Sequence, residues 1–247
     1  MKQKERNVDY LQILENKTVF SRNELYDAMK QFGIEMGEAS FKVYLQKLLN
    51  DGRIVRVGRN TYCVADTAKI YDYEYSDLAG HVASLIDENY PYLNFSIMEL
   101  TQLNEFVNHQ LAHNVFFVSV EANLGEFVFE TLKGEYPGKV LIHPTPQIYH
   151  QYWYDNMIVI QKRVSEAPVS KKVRWHTRIE KLLVDLLTDD ILQSSVSESE
   201  YQDIYEDAFT KYAVDESCMF RYAKRRGADI RIKKFIADKT KVNLRLG

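Results

Sequence analysis

Between residues 18 and 64, apolar positions follow helical spacing twice and then the short runs of two strands. Gly33 ends the first helical run, and residues 50–52 end the second. The apolar positions of the two runs are, in order, Leu25, Ala28, Met29 and Phe32, and then Phe41, Tyr44, Leu45, Leu48 and Leu49. A hairpin is predicted from two strand-like runs, residues 53–57 and 61–64, joined by a bend at residues 58–60. This order, of a helix, a turn, a second helix and a two-stranded ribbon, is that of a winged helix-turn-helix. The segment therefore predicts a domain of this kind.

Helix starts are predicted where a hydroxyl residue stands three positions before a glutamate, because each side chain then caps the other's free amide. Ser21 and Glu24 have this spacing at the start of the first helix. The same spacing recurs at residues 96–99, 177–180 and 197–200, which predicts three further helices, the first of them running to about Ala112. Ser76 is predicted to cap a helix that reaches Asn89.

The middle of the chain alternates short apolar runs with helical patterns. Residues 115–120, 140–142 and 157–160 are typical of buried strands, and residues 124–133 are typical of a helix. This alternation predicts a small α/β domain with a partly parallel sheet, followed by a C-terminal helical bundle. The expected class is α+β, with domains at residues 1–66, 67–165 and 166–247; residues 67–247 forming one domain is the alternative.

Charge is distributed unevenly, although the whole chain has a net charge of only −3. Residues 1–65 hold eleven basic and eight acidic side chains, residues 66–164 hold five and thirteen, and residues 165–247 hold sixteen and fourteen. Phosphate repels an acidic surface, so only the two ends are expected to approach nucleic acid.

The composition is that of an ordinary globular protein, with 45% hydrophobic and 27% charged residues. The polar start does not predict a signal peptide, and no apolar run approaches the roughly 20 residues that span a bilayer. Cys63 and Cys218 are too few and too far apart to predict a disulfide framework or a zinc site. A cytoplasmic location without a membrane partner is therefore expected.

The second helix and the hairpin carry the candidate DNA contacts. Phe41, Leu45 and Leu48 are expected to face inward, which leaves a polar and basic face outward. Such a face reaches base edges in a major groove while its flanking cations meet phosphates. The predicted DNA-binding residues are Arg22, Ser40, Lys42, Val43, Gln46, Lys47, Arg53, Arg56, Arg59 and Asn60. Asn60 suits a bend that needs positive φ. The alternative is a winged helix that contacts only protein.

Three segments carry a resemblance to a known family: the hairpin residues 56–62, the helix at residues 179–187 with Glu180, Lys181 and Asp185, and residues 221–227. Together they resemble the AbiEi-type antitoxins of bacteria. The resemblance implies a winged helix that represses its own operon and a C-terminal domain that neutralises a nucleotidyltransferase toxin, often without a stable complex. It also suggests a basic partner surface at Arg221, Lys224, Arg225 and Arg226. Two departures are Asn60 in place of the usual wing glycine and a long acidic insertion at residues 76–112.

Four groups of residues are candidates for enzymatic chemistry. His109 and His113 are spaced to share a metal on a helix, but no third ligand lies nearby in the sequence. A nuclease centre would need Glu121, Glu130 and Lys133 around a metal, yet the last two are spaced as a surface ion pair. Ser119 and Ser165 lack the glycine-flanked elbow of a hydrolase nucleophile. The carboxylates of Glu180 and Asp185 are expected simply to lie on the polar side of a helix.

An aromatic patch, comprising Tyr149, Tyr152, Trp153 and Tyr154, suits base stacking or partner docking, with half-buried packing as the favoured interpretation. The sequence thus predicts a non-enzymatic DNA-binding repressor and antitoxin that needs no cofactor or metal. We expect the chain to bind double-stranded promoter DNA, as a monomer or as a dimer, and to counter a nucleotidyltransferase toxin. A winged-helix-targeted nuclease or nucleotidyltransferase-like enzyme and a protein-interaction adaptor are the alternatives.

Overall fold

The computed structural model describes residues 9–15, 17, 19–65 and 69–244. The protein is of mixed α/β class, with helices towards both ends and a central sheet that contains parallel strands. It divides into two compact units. The first unit holds the described residues up to Tyr71 together with Lys211–Cys218 and Leu244, and the second holds Asp72–Thr210 and Met219–Asn243. Both the central sheet and most of the C-terminal helical residues therefore lie in the second unit.

The first unit begins with three helices and a small antiparallel sheet. In chain order these elements are α1 (Asp9–Glu15), β1 (Phe20–Ser21), α2 (Arg22–Gln31), α3 (Glu38–Asn50), β2 (Ile54–Gly58) and β3 (Thr61–Val64). The strand order is β1-β3-β2, and β1 was not predicted from the sequence. The predicted capping box of α2 is confirmed, because Ser21 Oγ accepts from the Glu24 amide while the Glu24 carboxylate accepts from the Ser21 amide.

The apolar faces of these elements form one core. Phe41, Leu45 and Leu48 of α3 are buried, as the helical spacing predicts. They pack in the same cluster as Tyr10 of α1 and Ile54 of β2. The Tyr10 and Tyr44 hydroxyls lie 2.8 Å apart, which adds a polar contact beside this core. Burial of one face of α3 fixes which of its residues remain accessible.

The second unit is built on a four-stranded sheet. Its elements up to the last strand are α4 (Asp77–Asn89), β4 (Phe95–Glu99), a 3-10 helix (Leu100–Glu105), β5 (Val115–Val120), α5 (Gly125–Glu135), β6 (Val140–Ile142), α6 (Pro146–Gln151) and β7 (Met157–Lys162). The order is β4-β5-β7-β6, with β4 antiparallel to β5 and the other neighbours parallel. Phe116, Val118 and Ile158 face a core shared with α4 and α5. The partly parallel sheet predicted from the sequence is thus confirmed.

Helices follow the sheet in the chain. They are α7 (Ile179–Leu186), α8 (Asp190–Ser195), a 3-10 turn (Glu198–Glu200), α9 (Tyr201–Lys211), α10 (Glu216–Arg225) and α11 (Asp229–Lys239). Gly227 lies between the last two helices with a φ of 66°, the left-handed conformation expected of a residue that ends a helix. Among the described residues, no helix combines the length and apolar character needed to cross a membrane.

The helix predicted from Ser96 to about Ala112 is wrong, because Phe95–Glu99 pairs along its whole length with β5. Glu99 does close a helix cap, but of a distant helix: its carboxylate accepts hydrogen bonds of 2.9 Å from both the amide and the hydroxyl of Ser76, the cap of α4. Ser96 and Glu99 have the spacing of a local capping box, but Glu99 instead contacts Ser76, 23 residues earlier in the chain.

The two later capping boxes also fail, although helices follow both. Thr177 Oγ1 donates to the Ile97 carbonyl at 2.8 Å, so it does not cap α7, whose cap residue Arg178 makes no side-chain cap bond. Ser197 Oγ lies 2.8 Å from Ser199 Oγ, and residues 198–200 form the 3-10 turn before α9. In both cases the hydroxyl has found another partner.

Candidate functional site

The outward face of α3 carries five of the residues predicted to touch DNA. Val43 is 72% exposed. The predicted DNA-binding residues exposed on this helix are Ser40, Lys42, Val43, Gln46 and Lys47. Gln46 Nε2 donates to Asn50 Oδ1 at 2.9 Å along the same face. The structure therefore places two cations, a methyl-bearing side chain and two hydrogen-bonding groups side by side on one accessible strip.

The hairpin of β2 and β3 presents the next candidates. Arg59 and Asn60 form its exposed tip, and Asn60 has a φ of 57°, as the sequence predicts for this bend. Arg56 is exposed, and its Nε donates to the Gly58 carbonyl at 3.0 Å. The pairing shifts between Arg56 and Gly58, so a bulge at Val57 twists the strand just before the tip. Arg53, directly before β2, is only partly exposed.

Arg22 occupies a different kind of position from the other candidates. Its guanidinium lies 2.6 Å from the carboxylate of Glu38 and 5.2 Å from the ring centroid of Phe41. Its backbone amide donates to Asn60 Oδ1 at 3.2 Å. Arg22 thus connects the start of α2 to the start of α3 and to the hairpin tip. Sequence spacing does not reveal this role, because the three partners are 16 to 38 residues away.

Tyr26 fixes the connection between the two helices. Its hydroxyl donates to the Met36 carbonyl at 2.6 Å, and its ring lies 4.9 Å from that of Phe41. These contacts hold the loop before α3 against α2. The orientation of the exposed strip of α3 is therefore set by contacts within the first unit.

A buried polar network lies at the centre of the second unit. The Lys181 ammonium pairs with the Asp185 carboxylate one turn along α7, and the Tyr222 hydroxyl donates to Asp185 Oδ1 at 2.8 Å. Arg226 Nε lies 3.8 Å from the same oxygen and donates to Thr188 Oγ1 at 2.9 Å. Desolvation and the Asp185 charge raise the pKa of Tyr222, so its hydroxyl stays protonated and remains a donor.

The expectation that Glu180, Lys181 and Asp185 occupy the solvent side of a helix is wrong. They are 1%, 2% and 5% exposed, and every residue of α7 is buried. The helix lies within the unit, so Asp185 meets Lys181 of the same helix and Tyr222 of α10, while Glu180 pairs with Arg178 just before the helix. Neighbouring Asp189 accepts from Gln161 Nε2 at 2.7 Å, and burial raises the pKa of its carboxyl.

The predicted basic partner surface is therefore incomplete. Arg226 faces inward to Asp185 and Thr188 with only 19% of its side chain exposed. Arg221 and Arg225 are exposed and share the carboxylate of Glu166, at 3.4 and 2.7 Å. Lys224 is exposed on the same helix. Three of the four predicted cations remain accessible.

The candidate catalytic residues lie in separate parts of the structure. His109 and His113 do not lie on a helix; their Nδ1 atoms are 3.3 Å from Glu200 and 3.7 Å from Asp155. Glu130 and Lys133 form an exposed ion pair of 3.7 Å, as the spacing predicts. Across the part of the chain that the structure describes, no three His, Cys, Asp or Glu side chains are grouped so as to hold a metal ion.

Three further candidates for nucleophilic or nuclease chemistry lie in different settings. Glu121 accepts from Asn94 Nδ2 at 2.9 Å at the end of β5. Ser119 is buried within β5 itself, and Ser165 follows β7 in a loop.

Residues 40–242 match the model of a family described as a family of unknown function, DUF6577, and the chain belongs to this family. No curated protein matches the sequence. One similar solved structure is the crystal structure of the RV2827C protein from Mycobacterium tuberculosis, at 12% identity and a TM-score of 0.25. That match covers 95% of this chain and 81% of the other.

Proposed function

We propose that this chain is a non-enzymatic transcriptional repressor that binds duplex DNA through a winged helix formed by α1–α3, β2 and β3. The observation that carries the proposal is the exposed strip of α3, with Lys42, Val43 and Lys47 directed away from a well-packed core. Such a repressor acts in the cytoplasm.

The order of elements supports the winged helix. A helix, a turn and a second helix are followed by a hairpin, and the short strand β1 adds a third strand beside β3. The thirteen residues of α3 make a helix of about 20 Å, since each residue adds about 1.5 Å. A helix of this size fits a major groove about 12 Å wide, with its exposed residues towards the base edges.

Charge supports the same assignment. Lys42 and Lys47 on α3, with Arg56 and Arg59 on the hairpin, place four exposed cations on the two elements that touch DNA in a winged helix. Glu38, at the start of α3, would repel phosphate, but its carboxylate is paired with Arg22. We therefore propose that Arg22 positions the start of α3 and neutralises Glu38, and that the other cations contact phosphate directly.

We further propose that the second unit has the antitoxin role implied by the resemblance to AbiEi-type antitoxins. Two of the segments that carry the resemblance, residues 179–187 and 221–227, converge in the buried network of Lys181, Asp185 and Tyr222. Shared residues of this kind would preserve the fold of an antitoxin domain. A surface that counters a nucleotidyltransferase toxin then has to be sought among exposed residues.

A binding-site selection with the full chain tests the DNA-binding proposal. Wild-type protein is expected to enrich one sequence from random duplex DNA. Val43→Ala or Lys42→Ala should relax the preference at particular base pairs, each typically worth about 1–3 kcal/mol, because these residues lie near the start of α3. Lys47→Ala should weaken all sequences alike.

The control is Lys133→Ala, which removes an exposed cation from α5 in the second unit. It should reproduce the wild-type motif and affinity. A selection in which Lys47→Ala alters the motif while Val43→Ala and Lys42→Ala leave it intact would overturn the assignment of the α3 face. Failure of the wild-type chain to enrich any sequence would overturn the repressor proposal itself.

A further inference from the structure

The helices α10 and α11 are joined by a turn of three residues. α10 ends at Arg225, α11 begins at Asp229, and Gly227 between them has the left-handed φ of 66°. The Ala228 amide donates to the Ala223 carbonyl at 2.9 Å, and both alanines are buried, so the start of α11 is fixed to the end of α10. Two helices joined by a short turn that contains glycine have the form of a helix-turn-helix.

One face of α11 is buried and the opposite face is accessible. Ile232 and Ile236 are 0% and 1% exposed, so they hold the helix in the second unit. Ile230 is instead 79% exposed, and Lys234, one turn later on the same face, is exposed as well. Lys233 is also exposed. The accessible face of α11 therefore combines an apolar side chain with cations, as the outward face of α3 does.

Cations dominate this face and the helix before it. Residues 217–237 include seven basic side chains and one carboxylate, that of Asp229, which is only partly exposed. Arg221 and Arg225 share the carboxylate of Glu166, which lies outside this segment. The exposed lysines of the two helices, from residue 217 to residue 237, are Lys224, Lys233 and Lys234. The positive charge thus belongs to the accessible face itself, and it attracts phosphate.

We propose that α10, the turn and α11 form a second surface of this chain for duplex DNA. α11 lies in a major groove, as the second helix of a helix-turn-helix does, with Ile230 towards the base edges. Lys224, Lys233 and Lys234 contact phosphates. An exposed apolar side chain among cations fits this occupant, because the major groove offers thymine methyl groups between two rows of phosphate. The surface is additional to the winged helix and stands whether or not α3 binds DNA.

The test uses the full chain with Lys42→Glu/Lys47→Glu, which removes the proposed contacts of α3. Fluorescence anisotropy with a duplex of random sequence, at several salt concentrations, gives the affinity. This chain should still bind the duplex in a salt-dependent way. Adding Lys224→Ala/Lys234→Ala should weaken that binding and flatten the slope of log affinity against log salt concentration by about 0.9 for each lost phosphate contact.

Three controls accompany this variant. Lys133→Ala/Lys171→Ala, in the same background, removes two exposed cations from α5 and from the loop before α7, and it should keep the slope. Lys224→Arg/Lys234→Arg preserves both charges and should retain binding. Circular dichroism checks that the helices are intact. An equal loss in Lys133→Ala/Lys171→Ala, or an unchanged slope in Lys224→Ala/Lys234→Ala, would overturn the proposal.

The outcomes separate this surface from α3. If Lys42→Glu/Lys47→Glu alone abolishes all duplex binding, the second surface is overturned while α3 stands. If only Lys224→Ala/Lys234→Ala weakens binding, the second surface stands and the role of α3 fails.

Other polyanions serve as competing occupants in the same assay. An RNA duplex should bind more weakly, because its major groove is too narrow and deep for side chains to read. Equal binding of the RNA duplex, or tighter binding of phosphatidylglycerol vesicles, would overturn the assignment to DNA. A thymidine strand that binds as tightly as the duplex would also overturn it, and would indicate stacking on exposed rings such as those of Tyr152 and Tyr154, which are 58% and 52% exposed.

Discussion

Replacing Asp185 with leucine is expected to lower the free energy of unfolding of the second unit by about 3–5 kcal/mol. The substitution leaves the Lys181 ammonium buried without its carboxylate, and it removes the acceptor of the Tyr222 hydroxyl. Urea denaturation followed by tryptophan fluorescence measures the effect, because Trp153 and Trp175 both lie in this unit. The free energy of unfolding of the wild-type full chain is the reference value.

Two variants separate the loss of an ion pair from a general loss of packing. The double variant Lys181→Met/Asp185→Leu removes both charges, so it should recover much of the stability, since apolar replacement of a buried pair is often neutral. Glu130→Ala breaks the exposed pair with Lys133 and should change stability by no more than about 1 kcal/mol. If Asp185→Leu proves as mild as Glu130→Ala, the network does not stabilise the fold.

Reversing two charges on α3, in Lys42→Glu/Lys47→Glu, should weaken binding to the selected DNA by a factor of about 100 or more. Each substitution removes a contact and adds repulsion of phosphate, and each tenfold loss corresponds to about 1.4 kcal/mol. Both side chains are exposed and outside the core, so the fold should be unaffected. Fluorescence anisotropy with the selected duplex gives the affinity, and circular dichroism checks the helices.

The same variant separates the two proposed activities in cells. It should fail to repress a reporter driven by its own promoter, yet still rescue growth when the proposed nucleotidyltransferase toxin is expressed. Loss of rescue in a folded variant would place the antitoxin activity on α3 and contradict its assignment to the second unit. Unimpaired repression would instead remove α3 from the DNA interface.

Local patterns predicted the first unit well because its elements are specified by nearby residues. The spacing of Phe41, Leu45 and Leu48 predicts both the existence of α3 and the direction of its exposed strip. Asn60 predicts the left-handed bend at the hairpin tip. The role of Arg22 was missed, because its pairing with Glu38 depends on how α2 and α3 are brought together.

The second unit shows where local patterns fail. The spacing of Ser96 and Glu99 matches a helix cap, but the apolar partners supplied by β5 favour a strand, and the glutamate caps α4 instead. Asp185 has the flanking sequence of a surface carboxylate, and only the approach of Tyr222, 37 residues later, shows that it is buried. Side chains satisfied by distant partners leave no periodic signal in the sequence.

The salt dependence of DNA binding tests the central proposal most directly. For full-length wild type, Arg59→Ala and Lys133→Ala, the affinity for the selected duplex is measured at several salt concentrations. If Arg59 at the hairpin tip contacts a phosphate, Arg59→Ala should flatten the slope of log affinity against log salt concentration by about 0.9. Lys133→Ala should keep the wild-type slope. Equal slopes for Arg59→Ala and wild type would contradict a phosphate contact at the hairpin tip, and a wild-type affinity that salt does not change would contradict a DNA interface at α3 and the hairpin.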